Sequence, residues 1–235
     1  MEDVLQELVK RMKAAFGEEL VSMVLYGSAA AGDYHEKHSD LNVLCVLKQI
    51  EIAQLERAAE PLSWWMKQGQ PAPVLLSVEE IERGADAFTI EFLDMRENYR
   101  LLDGVDLLRP LEVSMEFHRR QLEYELRARL LRLRKRFLET QHDDKALLKL
   151  MLESLPTFAT LFRHALVAAG AAAPTPKREI FQAAAGRFGA GPEPFMKLLE
   201  VREGKRPAPA AETRQWFGAY LAEIRKMSQA VDGLG

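Results

Sequence analysis

The chain of 235 residues is 48% hydrophobic and 29% charged, which is typical of a globular protein and argues against disorder. Its net charge of −3 argues against nucleic acid as a partner, although a local basic groove is compatible with that charge. No apolar stretch is long enough to span a bilayer, and the charged N-terminus is unlike a signal peptide, so we expect no membrane partner.

Hydrophobic periodicity predicts a first domain with both strands and helices over residues 1–110. Apolar residues three and four positions apart predict a helix over 2–16 that ends near Gly17. Short apolar runs, which are typical of buried strands, follow over 20–26 and 41–47. Four further elements are predicted in this domain: a helix over 51–68, a third strand that begins with 73–76, a fourth strand over 88–95 and a turn at Asp103-Gly104.

The remaining residues, 111–235, carry no strand signal and predict an all-helical domain. Leucines and phenylalanines at helical spacing indicate a long helix over about 117–137 and a second over 147–166 that stops at Gly170. Three later helices are predicted, two of them after Pro176 and Pro194 and the last over about 211–230. The whole pattern predicts an α+β protein, with a sheet and flanking helices followed by a helical bundle.

The string LYGSAAAGDYHEKHSDLNVLCVL, which runs from the end of the first predicted strand through the second, holds the candidate site. Gly27 lies directly after a strand, where a glycine lets backbone amides approach a phosphate closely. A helix that starts at Ser28 would point its positive end and the Ser28 hydroxyl at that phosphate. Asp40 and Asn42 are two positions apart at the start of a strand, so their side chains would share one small space. Gly32-Asp33 lies between these pairs. The sequence thus predicts a phosphate site at this corner.

Over about residues 20–108, this order resembles the glycine-serine motif and paired carboxylates of DNA polymerase β-type nucleotidyltransferases. That family includes kanamycin nucleotidyltransferase and the minimal nucleotidyltransferase antitoxins. The resemblance implies a mixed sheet with flanking helices. It also implies a metal-dependent transfer of a nucleotidyl group from a nucleoside triphosphate to an acceptor hydroxyl, with Mg²⁺ as the cofactor.

The resemblance also implies roles for individual residues. The nucleotide would be bound by Gly27, Ser28, Gly32 and Asp33. The family places a third acidic residue on a later strand, where Glu91 is the best match and Asp94 the second. Mg²⁺ would be bound by Asp40, Asn42 and Glu91, and the catalytic carboxylates would be Asp40 and Glu91.

Asn42 departs from the family pattern, in which this position holds a carboxylate. An amide offers one neutral oxygen, so the site loses a full negative charge beside the metal ions. Loss of about 3 kcal/mol of transition-state stabilisation would slow the reaction on the order of a hundredfold. Two functions therefore stay open: a nucleotidyltransferase with an unidentified small-molecule or protein acceptor, and a catalytically impaired nucleotide-binding or scaffold protein. A toxin-antitoxin component that modifies a partner protein is a third.

Two further groups of residues allow both a plain and a functional interpretation. The basic run from Arg127 to Arg136 is either a solvated helix face, with counter-charges on neighbouring helices, or a set of contacts to triphosphate or an acidic substrate. Trp64-Trp65 and Trp216 would pack in a core or an interface, or stack on a base. If exposed, Trp64-Trp65 would suit a homodimer interface.

The histidines His35 and His38 and the single cysteine give little further indication of function. His35, Glu36 and His38 lie in a polar loop, where they are either solvated or ligands of a metal. The single cysteine, Cys45, cannot form an intramolecular disulfide and lies in an apolar run. We therefore interpret Cys45 as a core residue of a cytoplasmic protein.

Overall fold

The computed structural model describes residues 1–27, 29–30, 40–140, 143–208 and 212–234. They divide into two compact units, Met1–Ser114 and Met115–Gly235. In the described ranges, strands occur in the first unit alone, while the second consists of helices and their connections. The α+β fold class predicted from the sequence is confirmed.

Four strands form a mixed sheet in the first unit, in the order β3-β2-β1-β4. They are β1 (Leu20–Tyr26), β2 (Asn42–Leu47), β3 (Val74–Ser77) and β4 (Tyr99–Gly104). β1 is antiparallel to both β2 and β4, whereas β2 and β3 are parallel. The first three strands begin within one residue of their predicted positions.

Helices cover both faces of this sheet because its strands are apolar on both sides. They are α1 (Glu2–Phe16), α2 (Ile52–Lys67), α3 (Val78–Gly84) and α4 (Thr89–Glu97). Residues of α1 and α2 pack on one face with Met23, Leu25 and Cys45. Residues of α3 and α4 pack on the other face with Val24 and Leu44. The alternation along each strand therefore decides which helices its side chains meet.

The strand predicted over 88–95 is wrong, because most of these residues form α4 and the fourth strand starts at Tyr99. Aromatic and β-branched residues in FTIEFLDM favour a strand by propensity. In the structure, Phe92 and Met95 are buried three positions apart against the sheet. Burial at helical spacing has overridden the local preference. The turn predicted at Asp103-Gly104 is also misplaced, since both residues belong to β4.

Five helices occur in the described part of the second unit. They are α5 (Met115–Thr140), α6 (Asp144–Ala168), α7 (Lys177–Phe188), α8 (Glu193–Arg202) and α9 (Thr213–Asp232). Each overlaps a helix predicted from the sequence. α6 begins where the Asp143 carboxylate accepts hydrogen bonds from the backbone amides of Lys145 and Ala146, at 2.9 and 3.0 Å. No helix in the described ranges combines the length and apolarity that a membrane crossing requires.

The core of the second unit contains a cluster of buried aromatic rings from α6 to α9. Its members are Phe158, Phe162, Phe181, Phe195 and Tyr220, all at most 1% exposed. The ring of Phe195 lies 4.4 Å from that of Phe181, 5.1 Å from Phe162 and 5.2 Å from Tyr220. Burial raises the pKa of the Tyr220 phenol, whose oxygen lies 3.0 Å from the Ser154 hydroxyl. This cluster ties four helices together.

Candidate active site

Three strand ends meet at one corner of the sheet in the first unit. Tyr26, the last residue of β1, pairs with Asn42, the first residue of β2, on one side. On its other side it pairs with Tyr99, the first residue of β4. Gly27 and Asn98 therefore lie next to each other, and the amide of Gly27 donates a hydrogen bond to the carbonyl oxygen of Asn98 at 2.9 Å. Polar residues at these strand ends are gathered here by the pairing of the sheet.

Gly27 turns the chain out of β1 with a left-handed backbone, at a φ of 80°. A side chain at this position would be strained, because L residues with a Cβ rarely adopt such a φ. A Cβ built on Gly27 would also lie 3.3 Å from Nδ2 of Asn42. The absence of a side chain thus lets Asn42 lie directly against the turn. The approach of backbone amides to a phosphate at Gly27 stays a prediction.

Asn42 faces the α3 and α4 side of the sheet, and the alternation of β2 would place Asp40 on that side if it continued to residue 40. Val43, Cys45 and Leu47 belong to the core under α1 and α2, so Asn42 faces the opposite side. Leu41, at 1% exposed, also packs in the α1 and α2 core, and its amide donates a hydrogen bond to Oε1 of Gln70 at 2.9 Å. The alternation therefore continues through Leu41, and one further step would direct Asp40 to the side of Asn42. Asp40 is exposed and Asn42 is half-buried.

The charge of Asp94, a residue of α4, acts on Tyr26 at the same corner. The phenol of Tyr26 is half-buried, and its pKa is raised first by burial and then by the negative charge of Asp94. Tyr26 faces the α3 and α4 side of the sheet, as Asn42 does. Asp94, the second choice from the sequence, is therefore a carboxylate whose charge reaches this corner.

Glu91 was the first choice for the third acidic residue because a strand was predicted over 88–95, and that strand prediction is wrong. It lies in the first turn of α4 and is exposed. Glu91 and Asp94 are three positions apart, so both side chains project from the same side of the helix, about one turn apart. Glu91 is the farther of the two from the end of α4, where Asn98 meets Gly27. Its catalytic role stays a prediction.

Several predicted site residues lie outside the described residues. They are Ser28, Gly32, Asp33, His35, Glu36 and His38. The phosphate contacts assigned to the first three and the metal cluster considered for the last three stay predictions. The neighbouring residues Ala29 and Ala30 form a turn, in which the Ala30 amide donates to the carbonyl oxygen of Gly27 at 3.0 Å.

The donors at this corner are oxygen atoms, which suits a hard cation such as Mg²⁺. Asp40 and Asp94 offer carboxylates. Asn42 has one carbonyl oxygen that could bind a cation. Within the described ranges, no three His, Cys, Asp or Glu side chains gather closely enough to hold a metal ion. A cation at this corner would therefore need the Asn42 oxygen, and oxygens from a ligand, to complete its coordination.

The two tryptophans Trp64-Trp65 and the single cysteine Cys45 lie in well-defined packing environments. Trp65 is fully buried, and its ring nitrogen donates to the carbonyl oxygen of Pro71 at 2.7 Å. The core packing considered for Trp64-Trp65 agrees with the position of Trp65, whereas Trp64 is half-buried beneath the guanidinium of Arg11. Cys45 is 0% exposed, and burial raises the pKa of its thiol to about 12. The core role predicted for Cys45 agrees with this environment.

The basic run on α5 is largely balanced by acids on the same helix. Arg127 pairs with Glu123 at 2.7 Å and Arg129 pairs with Glu125 at 3.0 Å. The expectation that counter-charges lie on neighbouring helices holds for one pair, since Arg127 also lies 3.1 Å from Asp232 of α9. Spacing of four residues in the sequence could have identified the pairs within α5.

Sequence reasoning missed the contributions of Tyr26 and Asn98 to the corner. Both follow from strand pairing between residues about 70 positions apart, which no local pattern reports. It also missed α3, although the sequence carries its start signal. Ser77 and Glu80 form a capping box, in which the Glu80 amide donates to the Ser77 hydroxyl at 3.2 Å and the Ser77 amide to the Glu80 carboxylate at 2.7 Å.

Comparison with known proteins relates the first unit to a nucleotidyltransferase family. Residues 5–96 match the family described as a nucleotidyltransferase domain. Among solved structures, the spectinomycin adenyltransferase AAD(9) from Enterococcus faecialis, determined with ATP and spectinomycin, has a similar fold. The TM-score is 0.58 at 13% identity, and the similarity covers 99% of each chain. No curated protein sequence matches this chain significantly.

Proposed function

We propose that this chain, which carries a nucleotidyltransferase domain of the polymerase β type over residues 5–96, transfers a nucleotidyl group from a nucleoside triphosphate to an acceptor hydroxyl. The observation that carries the proposal is the contact between Gly27 and Asn42. A left-handed glycine at the end of a strand lets the chain turn there with the Asn42 amide packed directly against it, and a phosphate would bind along that turn. Asp40 and Asp94 would supply negative charge on the same side of the sheet.

The triphosphate would bind along the turn that starts at Gly27. Backbone amides that follow the glycine would donate to phosphate oxygens, and the Ser28 hydroxyl would add one donor. Gly32 and Asp33 would close the same loop around the nucleotide. The ATP bound to spectinomycin adenyltransferase makes ATP the first nucleotide to test.

Mg²⁺ would be held by Asp40, by the carbonyl oxygen of Asn42 and by phosphate oxygens of the nucleotide. When bound, the ion would neutralise phosphate charge and orient the α-phosphate for in-line attack. For the third acidic residue we favour Asp94 over Glu91, because the charge of Asp94 reaches Tyr26 at the strand ends. Glu91, one helical turn farther back and exposed, is the alternative.

The reaction would proceed by displacement at the α-phosphorus. The acceptor oxygen forms a bond to that phosphorus while the bond to the bridging oxygen of the β-phosphate breaks, and pyrophosphate leaves. The proton of the acceptor hydroxyl passes to the Asp94 carboxylate, which acts as general base. Asp40 would hold the cation, whose charge would help to orient the α-phosphate.

A search for nucleotidylated products tests this proposal. The full chain is incubated with Mg²⁺, ATP and fractionated small molecules or proteins, and mass spectrometry detects products heavier by one nucleotidyl group. The Asp40→Asn variant, which keeps the shape of the side chain and removes its charge, is the matched control. We expect labelled products with the wild type and about a hundredfold less with Asp40→Asn. Equal labelling by both proteins would contradict the assignment of Asp40.

A catalytically impaired nucleotide-binding or scaffold protein is the second candidate function, and Asn42 favours it. The neutral amide at this position removes one negative charge from the metal site. The Asn42→Asp variant separates the two functions. Activity that rises about a hundredfold from a wild-type background near zero would favour impairment. Readily measured wild-type transfer would reject it.

The acceptor, the location and the oligomeric state follow only from the proposed function and from composition. The acceptor would be a small molecule or a protein with a free hydroxyl. The buried Cys45 fits a reducing cytoplasm, where we infer that the protein acts. A homodimer stays a proposal, and Trp65 is not available to form its interface.

A further inference from the structure

A groove between α5 and α6 of the second unit is lined by three arginines from one side of α5. They are Arg129, Arg132 and Arg136, which lie three and four positions apart and therefore project in similar directions. The groove has a volume of about 230 Å³. It lies wholly within the second unit, and the proposed nucleotide corner uses none of its residues.

The three guanidinium groups are not fixed by strong internal partners. Arg129 and Arg136 form ion pairs with Glu125 at 3.0 Å and with Glu139 at 3.1 Å, but these pairs are partly exposed and therefore weak. Arg132 is exposed and forms no ion pair with any residue in the described parts of the chain. All three can therefore turn toward a ligand with little loss of internal stability.

The α6 side of the groove supplies hydroxyls and an apolar floor. Ser154 and Thr157 line it, and the Ser154 hydroxyl is fixed by contacts of 3.0 Å with the carbonyl oxygen of Met151 and the phenol oxygen of Tyr220. The apolar part is formed by Leu133, Leu150 and Phe158. Phe158 and Leu133 are buried, so the floor is part of the core and keeps its shape.

One carboxylate, that of Glu153, also lines the groove. Its charge is partly balanced by Lys149, whose Nζ lies 3.6 Å away. Arg129 and Arg136 are likewise paired with Glu125 and Glu139, so the excess of positive charge at the groove is the single charge of Arg132. Guanidinium groups bind phosphate and carboxylate oxygens with paired, charge-assisted hydrogen bonds.

From these features we infer that the groove binds a small organic anion, with a phosphate or carboxylate group attached to an apolar or aromatic body. The anionic group would lie along the arginines, and the apolar body would rest on the half-buried Leu150, above Leu133 and Phe158. Small-molecule sites combine an apolar lining with a few convergent polar groups in this way. The inference does not depend on nucleotidyl transfer.

Phenyl phosphate is the probe for this inference, because it joins a dianionic group to one aromatic ring. Calorimetric titration into the full chain at low ionic strength should give saturable binding that weakens as salt is added. Arg132→Gln and Arg136→Gln should each weaken binding about tenfold, the expected loss for one charge-assisted hydrogen bond. Phenol, which lacks the charge, should not bind measurably.

Arg134→Gln is the matched control for these variants. Arg134 lies two positions beyond Arg132, so it projects from nearly the opposite side of α5, where it lines a different groove with Phe137 and Phe217. The control should bind phenyl phosphate as the wild type does. Circular dichroism should show the same helical content in all variants.

Three results would overturn the inference. The first is no binding of phenyl phosphate at millimolar concentration. The second is equal weakening by Arg132→Gln and Arg134→Gln, which would indicate attraction to the charge of α5 as a whole. The third is binding that Gly27→Ala abolishes and Arg132→Gln leaves unchanged, which would assign the probe to the nucleotide corner.

Discussion

The corner at Gly27 and the aromatic core of the second unit are built by different means. In the core, Phe195 is surrounded by three other buried rings within 5.2 Å. At the corner, the position of the polar groups depends on a left-handed glycine and on a backbone hydrogen bond of 2.9 Å to Asn98. Side-chain burial therefore determines stability in one region, whereas backbone conformation determines the site in the other. Substitutions should separate the two effects.

The largest expected effect on stability is that of Phe195→Ala. Removal of this buried ring should lower the free energy of unfolding of the second unit by about 3–5 kcal/mol. Hydrogen exchange followed by mass spectrometry reports the two units separately, and amides of α6 to α9 should exchange faster while those of β1 and β2 stay protected. Leu138→Ala, at a side chain that is 67% exposed, is the control and should change stability by less than about 0.5 kcal/mol. Equal effects of the two variants would contradict the importance of the aromatic cluster.

A smaller effect on stability and a specific effect on binding are expected for Gly27→Ala. A left-handed backbone costs an alanine about 1–2 kcal/mol, so the free energy of unfolding should fall by that amount. The new methyl group would also press on Asn42, and affinity for the Mg²⁺ complex of ATP should fall about tenfold.

Gly69→Ala provides a control with the same backbone strain. Gly69 has the same φ of 80°, but no atom lies within 4 Å of a Cβ built there. It should lose similar stability and keep full nucleotide affinity. If both variants bound the nucleotide equally well, the turn at Gly27 would not be part of the binding site.

The smallest expected effect is on the chemical reactivity of the Cys45 thiol near neutral pH. Burial raises the pKa of its thiol from 9.0 to about 12, so the thiol stays protonated in the folded protein and should not react with a disulfide reagent at pH 8. The folded state holds the thiol proton more tightly than the unfolded state does. The contribution of Cys45 to the free energy of unfolding is therefore complete below pH 9 and is lost as the pH rises toward 12. Rapid labelling of the native protein at pH 8 would show that the core around β2 opens.

The sequence predicted those parts of the fold in which one local pattern decides the structure. The apolar run of β1 was located correctly from Leu20 to Tyr26. The long helices α5 and α6 were found because their buried residues repeat at helical spacing over many turns. The pattern failed at α4, where nine residues are too few for periodicity to outweigh the strand preference of Phe88 and Ile90.

The sequence predicted only those residues of the candidate site that lie close together along the chain. Gly27, Asp40 and Asn42 lie close together in the sequence, and their order along the chain is enough to indicate a phosphate corner. The effect of the Asp94 charge on Tyr26 joins residues 68 positions apart and depends on the pairing of β4 with β1. Because α4 was taken for a strand, the third acidic residue was sought at Glu91, and the half-buried Asp94 was ranked behind it.

Calorimetric titration of the full chain with ATP and Mg²⁺ tests the central claim most directly. The corner formed by Gly27, Asp40 and Asn42 should bind one nucleotide per chain, with affinity that falls when Mg²⁺ is removed. In Asp40→Asn, loss of the metal-binding charge should reduce this dependence on Mg²⁺. Absence of binding for any nucleoside triphosphate at millimolar concentration would contradict both the enzymatic function and its impaired alternative.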